Sequence, residues 1–184
     1  MTAVAAFRVC FVCSGNICRS PMGEVVLRRI AEDAGLGDLV IVDSAGTGDW
    51  HIGERADRRT VAALSARGYD GATHRAKQFE PRWFAQRDLV VALDRGHERT
   101  LRSWAPTDVD RAKVRLLRSF EPGRGDAAGP GGGAASRAAA ADLDIPDPYY
   151  SGPQSFDDVL AQVEYACTGL LDHVRRQLAA AADR

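Results

Sequence analysis

Val9-Cys10-Phe11-Val12-Cys13-Ser14-Gly15-Asn16-Ile17-Cys18-Arg19-Ser20-Pro21 runs an apolar strand into a cysteine and then, five residues on, into Arg-Ser-Pro at the start of a helix. Cys13 and Arg19 are therefore the ends of one tight loop between a strand and a helix N-terminus. In such a loop several backbone N–H groups converge on one tetrahedral anion, and the helix dipole favours negative charge there. Arg19 adds a planar fork of donors that Lys cannot reproduce. Cys13 then lies at the floor of an anion site, where its thiolate is stabilised. A nucleophilic sulfur beneath a bound phosphoryl group is the chemistry of cysteine-dependent phosphate-ester cleavage.

Outward from this loop, the segment 7–12 reads as a buried strand. Ser20 reads as an N-cap with Pro21 at the first helical position. Val25, Val26, Leu27, Ile30 and Ala34 form the apolar stripe of a helix that stops at Gly35. A second strand is expected over 39–42, with 43–48 as a loop, and a helix over 57–67 closed by Gly68. The run 88–93 is the clearest buried strand. A helix over 95–104, a strand over 114–117 and a long helix over 156–182 complete the pattern. Strands alternating with helices predict a doubly wound α/β fold, with a four-stranded parallel sheet flanked by helices and the anion loop after the first strand. The chain is read as one domain, 1–184, with a mobile Gly/Ala-rich insertion at 123–141, which has almost no apolar bulk to bury.

Composition narrows the class. The 184 residues are 45% apolar and 27% charged, as in ordinary globular proteins, and are enough for a full core. A net charge of -1 supplies no positive field for nucleic acid or an anionic membrane. No apolar run approaches the ~20 residues of a membrane span, and no secretory leader is evident. Three of the four cysteines cluster within nine positions, the pattern of a reactive site in a reducing cytoplasm and not of a disulfide framework.

The chain resembles the bacterial low-molecular-weight protein tyrosine phosphatases over nearly its whole length outside the insertion. The family's Cys-x-Gly-Asn-x-Cys-Arg-Ser loop stands here as Cys13 to Ser20, and its Asp-Pro-Tyr loop as Asp147-Pro148-Tyr149, followed by Tyr150. Asp43-Ser44-Ala45-Gly46-Thr47, Trp50-His51 and His74-Arg75-Ala76 match as well. The resemblance implies that Cys13 is the nucleophile, Arg19 the phosphate clamp and Asp147 the general acid. It places the phosphate among Ser14, Gly15, Asn16, Ile17, Cys18, Arg19 and Ser20, with Ser20 hydrogen-bonded to the Cys13 sulfur. Trp50, Tyr149 and Tyr150 become the substrate pocket, and Asn16, Ser44 and His74 brace the loop from behind. It further implies tyrosine-phosphorylated protein substrates, no metal or cofactor, and a cytoplasmic monomer that engages neither nucleic acid nor membrane.

Other readings compete at several positions. Asp147 before Pro148 also suits a plain turn. Asp94 follows a strand as a competing acid or, more simply, as a helix cap. Cys10-x-x-Cys13 lacks the second ligand pair of a zinc knuckle, so Cys10 reads as a buried small hydrophobe, as does Cys167. Cys18 is either a packed thiol or the partner of Cys13 in a reversible protective disulfide. His97 and His173 carry no partner pattern and read as surface or core residues. A thiol-coupled arsenate reductase would need further redox cysteines. A protein arginine phosphatase would place Thr at Ile17 and Phe at Tyr149, and a binding module would have lost Cys13, Arg19 or Asp147.

Overall fold

The structure, a computed structural model, describes residues 5–124 and 143–183. Its four parallel strands are β1 (Phe7–Cys13), β2 (Val40–Gly46), β3 (Leu89–Ala92) and β4 (Val114–Leu116), in the order β2-β1-β3-β4. Helices α1 (Arg19–Asp33), α2 (Arg58–Ala66), α3 (Arg95–Trp104), α4 (Asp108–Ala112) and α5 (Pro153–Ala182) complete the expected α/β architecture. β1 is central, registered from Phe7↔Val40 to Cys13↔Gly46 on one side and from Val9↔Leu89 to Val12↔Ala92 on the other. Cys13 therefore ends β1 where the chain order reverses between β1 and β3. That is the crevice where open α/β sheets bind ligands.

Side chains alternate across β1, and each face has its own core. Val9 and Phe11 pack with Met22 and Leu27 of α1 and with Phe156, Leu160 and Val163 of α5. Cys10 and Val12 pack with Phe79, Phe84 and Leu101 on the other face. Phe11 and Leu160 are fully buried, and side chains of this size contribute about 1.5–3 kcal/mol each on burial. This packing anchors the strand end on which the site stands.

The structure differs from the sequence expectation in instructive places. β2 continues through Gly46, although 43–48 reads as a loop. Its polar residues stay in the strand because each has a partner: Asp43 holds Lys77 and Arg87, and Ser44 holds Asn16 and Glu24. Gly46 is required there, since a Cβ would come 2.6 Å from Ser14 O. Ser20 is not the cap of α1; the helix begins at Arg19 with Cys18 as a cap lacking any side-chain bond, which frees the Ser20 hydroxyl for the site. Gly35, at φ 73°, lies just past the helix end as expected. α4 has no buried residue and hence no apolar periodicity to betray it. The expected insertion at 123–141 lies outside the described residues apart from Gly123 and Arg124. Among the described residues, no helix is long and apolar enough to cross a membrane.

Candidate active site

Cys13 is 3% exposed, and its Sγ lies 2.9 Å from Ser20 Oγ in the first turn of α1. The loop between them is held by Asn16, the non-glycine residue at positive φ (56°) among those described. Its Oδ1 accepts from Lys77 N at 3.0 Å, a backbone donor only an oxygen can take, so its Nδ2 must face the two hydroxyls. Nδ2 donates to Ser20 Oγ at 2.8 Å and to Ser44 Oγ at 2.9 Å. Having accepted from Asn16, Ser20 has its own proton free to donate to the Cys13 sulfur.

Behind Asn16 stands a second layer. Ser44 donates to Glu24, which also receives Arg28. His74 Nε2 lies 2.7 Å from Asn16 O, so this nitrogen carries the proton, and Nδ1 faces Glu24 at 3.7 Å. Burial pushes the Glu24 carboxyl up, but the adjacent His74 ring and the hydrogen bonds from Ser44 and Arg28 outweigh it and bring its pKa to about 2. Ser44 and His74 thus both hydrogen-bond Asn16. Glu24, which meets Ser44, Arg28 and His74, is an addition that the sequence did not mark.

Arg19, 4% exposed, is locked from the opposite side. Its Nη1 donates to Asp94 Oδ2 and to Ile145 O, both at 2.9 Å, and Nη2 lies 3.2 Å from Asp147 Oδ2. Asp94 does cap α3, accepting from His97 N at 2.9 Å, and it also pairs with Arg19. Burial opposes its ionisation, yet His97 and Arg19 hold its carboxyl below the usual range. His97 is buried and its Nε2 lies 2.8 Å from Ser14 Oγ. Its Nδ1 comes 3.2 Å from Asp94 Oδ1 without hydrogen-bond alignment. Burial drops the imidazole to about 4, so it is neutral at ordinary pH. Sequence reasoning gave His97 no role, because its partner is 83 residues away.

The mouth is a cavity of about 440 Å³ with Cys13, Arg19, Trp50, His51, Asp147, Tyr149 and Tyr150 in its lining. Asp147 Oδ1 accepts from Tyr149 N at 3.1 Å. The Tyr149 and Tyr150 rings meet edge to face, with centroids 4.9 Å apart. Tyr150 is 92% and Trp50 68% exposed, so the walls are open to a macromolecule. His51, unassigned from sequence, bonds Glu54 at 2.7 Å and packs against Gly15, where a Cβ would meet its ring at 2.8 Å. Ile17 and Cys18 also line the cavity. Burial pushes the Cys18 thiol up to about 12, while the buried Thr60 hydroxyl beside it pulls the other way without making a well-formed bond. Among the described residues, no group of His, Cys, Asp or Glu is arranged to hold a metal ion. A cysteine sulfur, a fixed guanidinium and a carboxylate therefore share one pocket with aromatic side chains in its lining.

The sequence model of the low molecular weight phosphotyrosine protein phosphatases matches residues 8–131 and 132–180. The chain belongs to this family. It is 56% identical over 172 residues to the low molecular weight protein-tyrosine-phosphatase of Streptomyces coelicolor, covering 94% of this chain and 96% of that one. It is 46% identical over 171 residues to the low molecular weight protein-tyrosine phosphatase A of Mycobacterium tuberculosis, covering 93% of each. Among solved structures, a protein tyrosine phosphatase from Entamoeba histolytica matches with a TM-score of 0.79 and 27% identity, covering 94% of this chain and 99% of that one. YfkJ from Bacillus subtilis matches with a TM-score of 0.78 and 29% identity, covering 94% and 97%. The chain is accordingly an enzyme of the protein-tyrosine-phosphatase class.

Proposed function

We propose that this phosphatase hydrolyses phosphotyrosine in protein substrates through a phosphocysteine intermediate, with Asp147 as general acid and then base. The Cys13 thiolate attacks phosphorus, the ester P–O bond breaks, and Asp147 delivers its proton to the departing phenolate oxygen. Backbone N–H groups of residues 14–19 and the Arg19 fork hold the equatorial oxygens as charge builds. Water then attacks phosphorus while Asp147 takes its proton. The Cys13 thiolate departs, stabilised by the Ser20 hydroxyl, and inorganic phosphate is released.

The observation that carries this reading is the juxtaposition across one cavity of Cys13, with its sulfur 2.9 Å from Ser20 Oγ, and Asp147, 3.2 Å from the buried Arg19 guanidinium. Trp50, Tyr149 and Tyr150 around it suit an aromatic leaving group. Arsenate reduction is disfavoured, since Cys10 and Cys167 are fully buried and cannot serve as further redox thiols. Ile17 in the lining leaves less room for a phosphoguanidinium than the Thr of arginine phosphatases would. In the same reading, residues 1–184 form one phosphatase domain, and Cys18 can trap an oxidised Cys13 as a disulfide. The deciding experiment offers one purified sample phosphotyrosine, phosphoserine and phosphoarginine peptides, and arsenate with thiol. Phosphotyrosine should be cleaved fastest; a faster phosphoarginine reaction would overturn the substrate and leave the reaction class standing.

A further inference from the structure

α2 begins beside the nucleophile loop, and its cap reaches in two directions. Asp57 donates its backbone N–H to Ile17 O at 2.8 Å. Its carboxylate grips Arg59 in a fork, with Nε on Oδ1 at 3.0 Å and Nη2 on Oδ2 at 2.9 Å, and also accepts Arg59 N at 2.8 Å. The remaining guanidinium nitrogen, Nη1, donates to Tyr149 O at 3.0 Å and Ser151 O at 3.3 Å. The guanidinium carbon also lies 4.5 Å from the Phe156 ring centroid and 5.5 Å from that of Tyr149. These carbonyls sit two and four residues past Asp147. The near end of the same loop is tied elsewhere, by Ile145 N to Leu93 O at 2.9 Å and by Arg95 N to Asp144 Oδ1 at 2.8 Å. Asp147 hangs between the two moorings.

We propose that Arg59 is a positioning residue for the acid loop: with Asp57 it ties the Tyr149–Ser151 backbone to the nucleophile loop and so holds Asp147 and the Tyr149 ring over Cys13. Arg59 does not line the cavity and acts only through what it holds. The task needs Arg, because a single ammonium cannot face the Asp57 fork, two carbonyls and an aromatic ring together. The inference rests on Asp147 being the acid, and the test separates the two ideas.

The test is kcat/KM, which covers formation of the phosphocysteine, measured on aryl phosphates graded from activated nitrophenyl to poor alkyl-substituted leaving groups. Arg59→Ala, Arg59→Lys and Asp57→Asn are compared with Asp147→Ala. Displacing an acid by about an ångström costs on the order of 10²-fold. Arg59→Ala should therefore lose about 10- to 100-fold on the poorest leaving groups and little on the activated ones, where no proton is needed. Arg59→Lys should resemble Ala, and Asp57→Asn should lose less. Inhibition by inorganic phosphate should stay within about 2-fold of wild type, since the anion loop is held by other bonds. A uniform loss across leaving groups, or rescue by Lys, would overturn the proposal. Should Arg59→Ala not fold, the Lys and Asp57→Asn variants carry the same comparison. If Asp147→Ala itself shows no leaving-group dependence, the acid assignment fails instead.

Discussion

The two loops that meet over Cys13 are built to opposite standards. The nucleophile loop is buried, with Asn16 bonded to Ser20, Ser44 and Lys77 and backed by Glu24 and His74. The acid loop is largely exposed, and Asp147 is held by one backbone N–H and one edge of Arg19. A rigid loop fixes the features every phosphate ester shares, since its donors must already point at the charge that develops. An open loop carries what differs between substrates, the leaving group and the surface around it. The prediction is a division of labour: damage to the first loop acts on all substrates alike, and damage to the second acts according to leaving group.

The largest effect tests the first half of that division. Cys13→Ser should abolish turnover on every substrate, because a serine hydroxyl gains little nucleophilicity from this environment. Vanadate and phosphate should still bind, as the loop and Arg19 are intact. Appreciable turnover would break the covalent mechanism. Asp147→Asn comes next and tests the second half. It should cost about 10²–10⁴-fold on poor leaving groups and far less on activated aryl phosphates. An equal loss on both would mean the carboxylate only steadies the loop.

Smaller, and read in stability, is the contribution of Glu24. Its folded-state pKa of about 2 lies below the ordinary 4.5, so its stabilisation is present above about pH 4.5 and is lost as the pH falls towards 2. The shift corresponds to about 3 kcal/mol at neutral pH. Denaturant unfolding of Glu24→Gln should show that deficit near pH 6, a smaller one at pH 3, and convergence with wild type near pH 2. A deficit that does not change with pH would mean the loop is braced by packing alone.

The same contrast explains what could be read from the chain. The nucleophile loop is contiguous from Cys13 to Ser20, so local chemistry declared it, and the strand-helix alternation declared the parallel sheet that presents it. Asp147 needed the resemblance, because Asp-Pro by itself also means a turn. Glu24, His97, Asp57 and Arg59 were silent. Each acts across the fold, as Ser14 with His97 over 83 residues and Arg59 with Tyr149 over 90. A charged side chain on a helix looks like a solvated face until the fold supplies its partner. Asp43 and Ser44 misled in the same way, reading as loop where β2 carries them into two bonded clusters.

The smallest effect on turnover, and the sharpest test of how rigid the buried loop is, concerns Cys18. Peroxide converts the Cys13 thiolate to a sulfenic acid; attack by Cys18 sulfur would then form a disulfide and release water. For this the loop must bring the two Cα atoms within ~7 Å in a bonding orientation. Burial holds the Cys18 thiol at about 12, so its reactive thiolate is scarce at neutral pH and should become about tenfold more abundant with each unit that the pH rises towards that value. Cys18→Ser should keep hydrolysis within a few-fold of wild type, since the backbone N–H is unchanged. After a brief peroxide pulse, wild type should recover activity with dithiothreitol and the variant should not. The recoverable fraction of wild type should also rise when the pulse is given at pH 9 instead of pH 7. Equal recovery by the two proteins would mean that Cys18 only packs the loop, and that the loop is too stiff to bend its second sulfur onto its first.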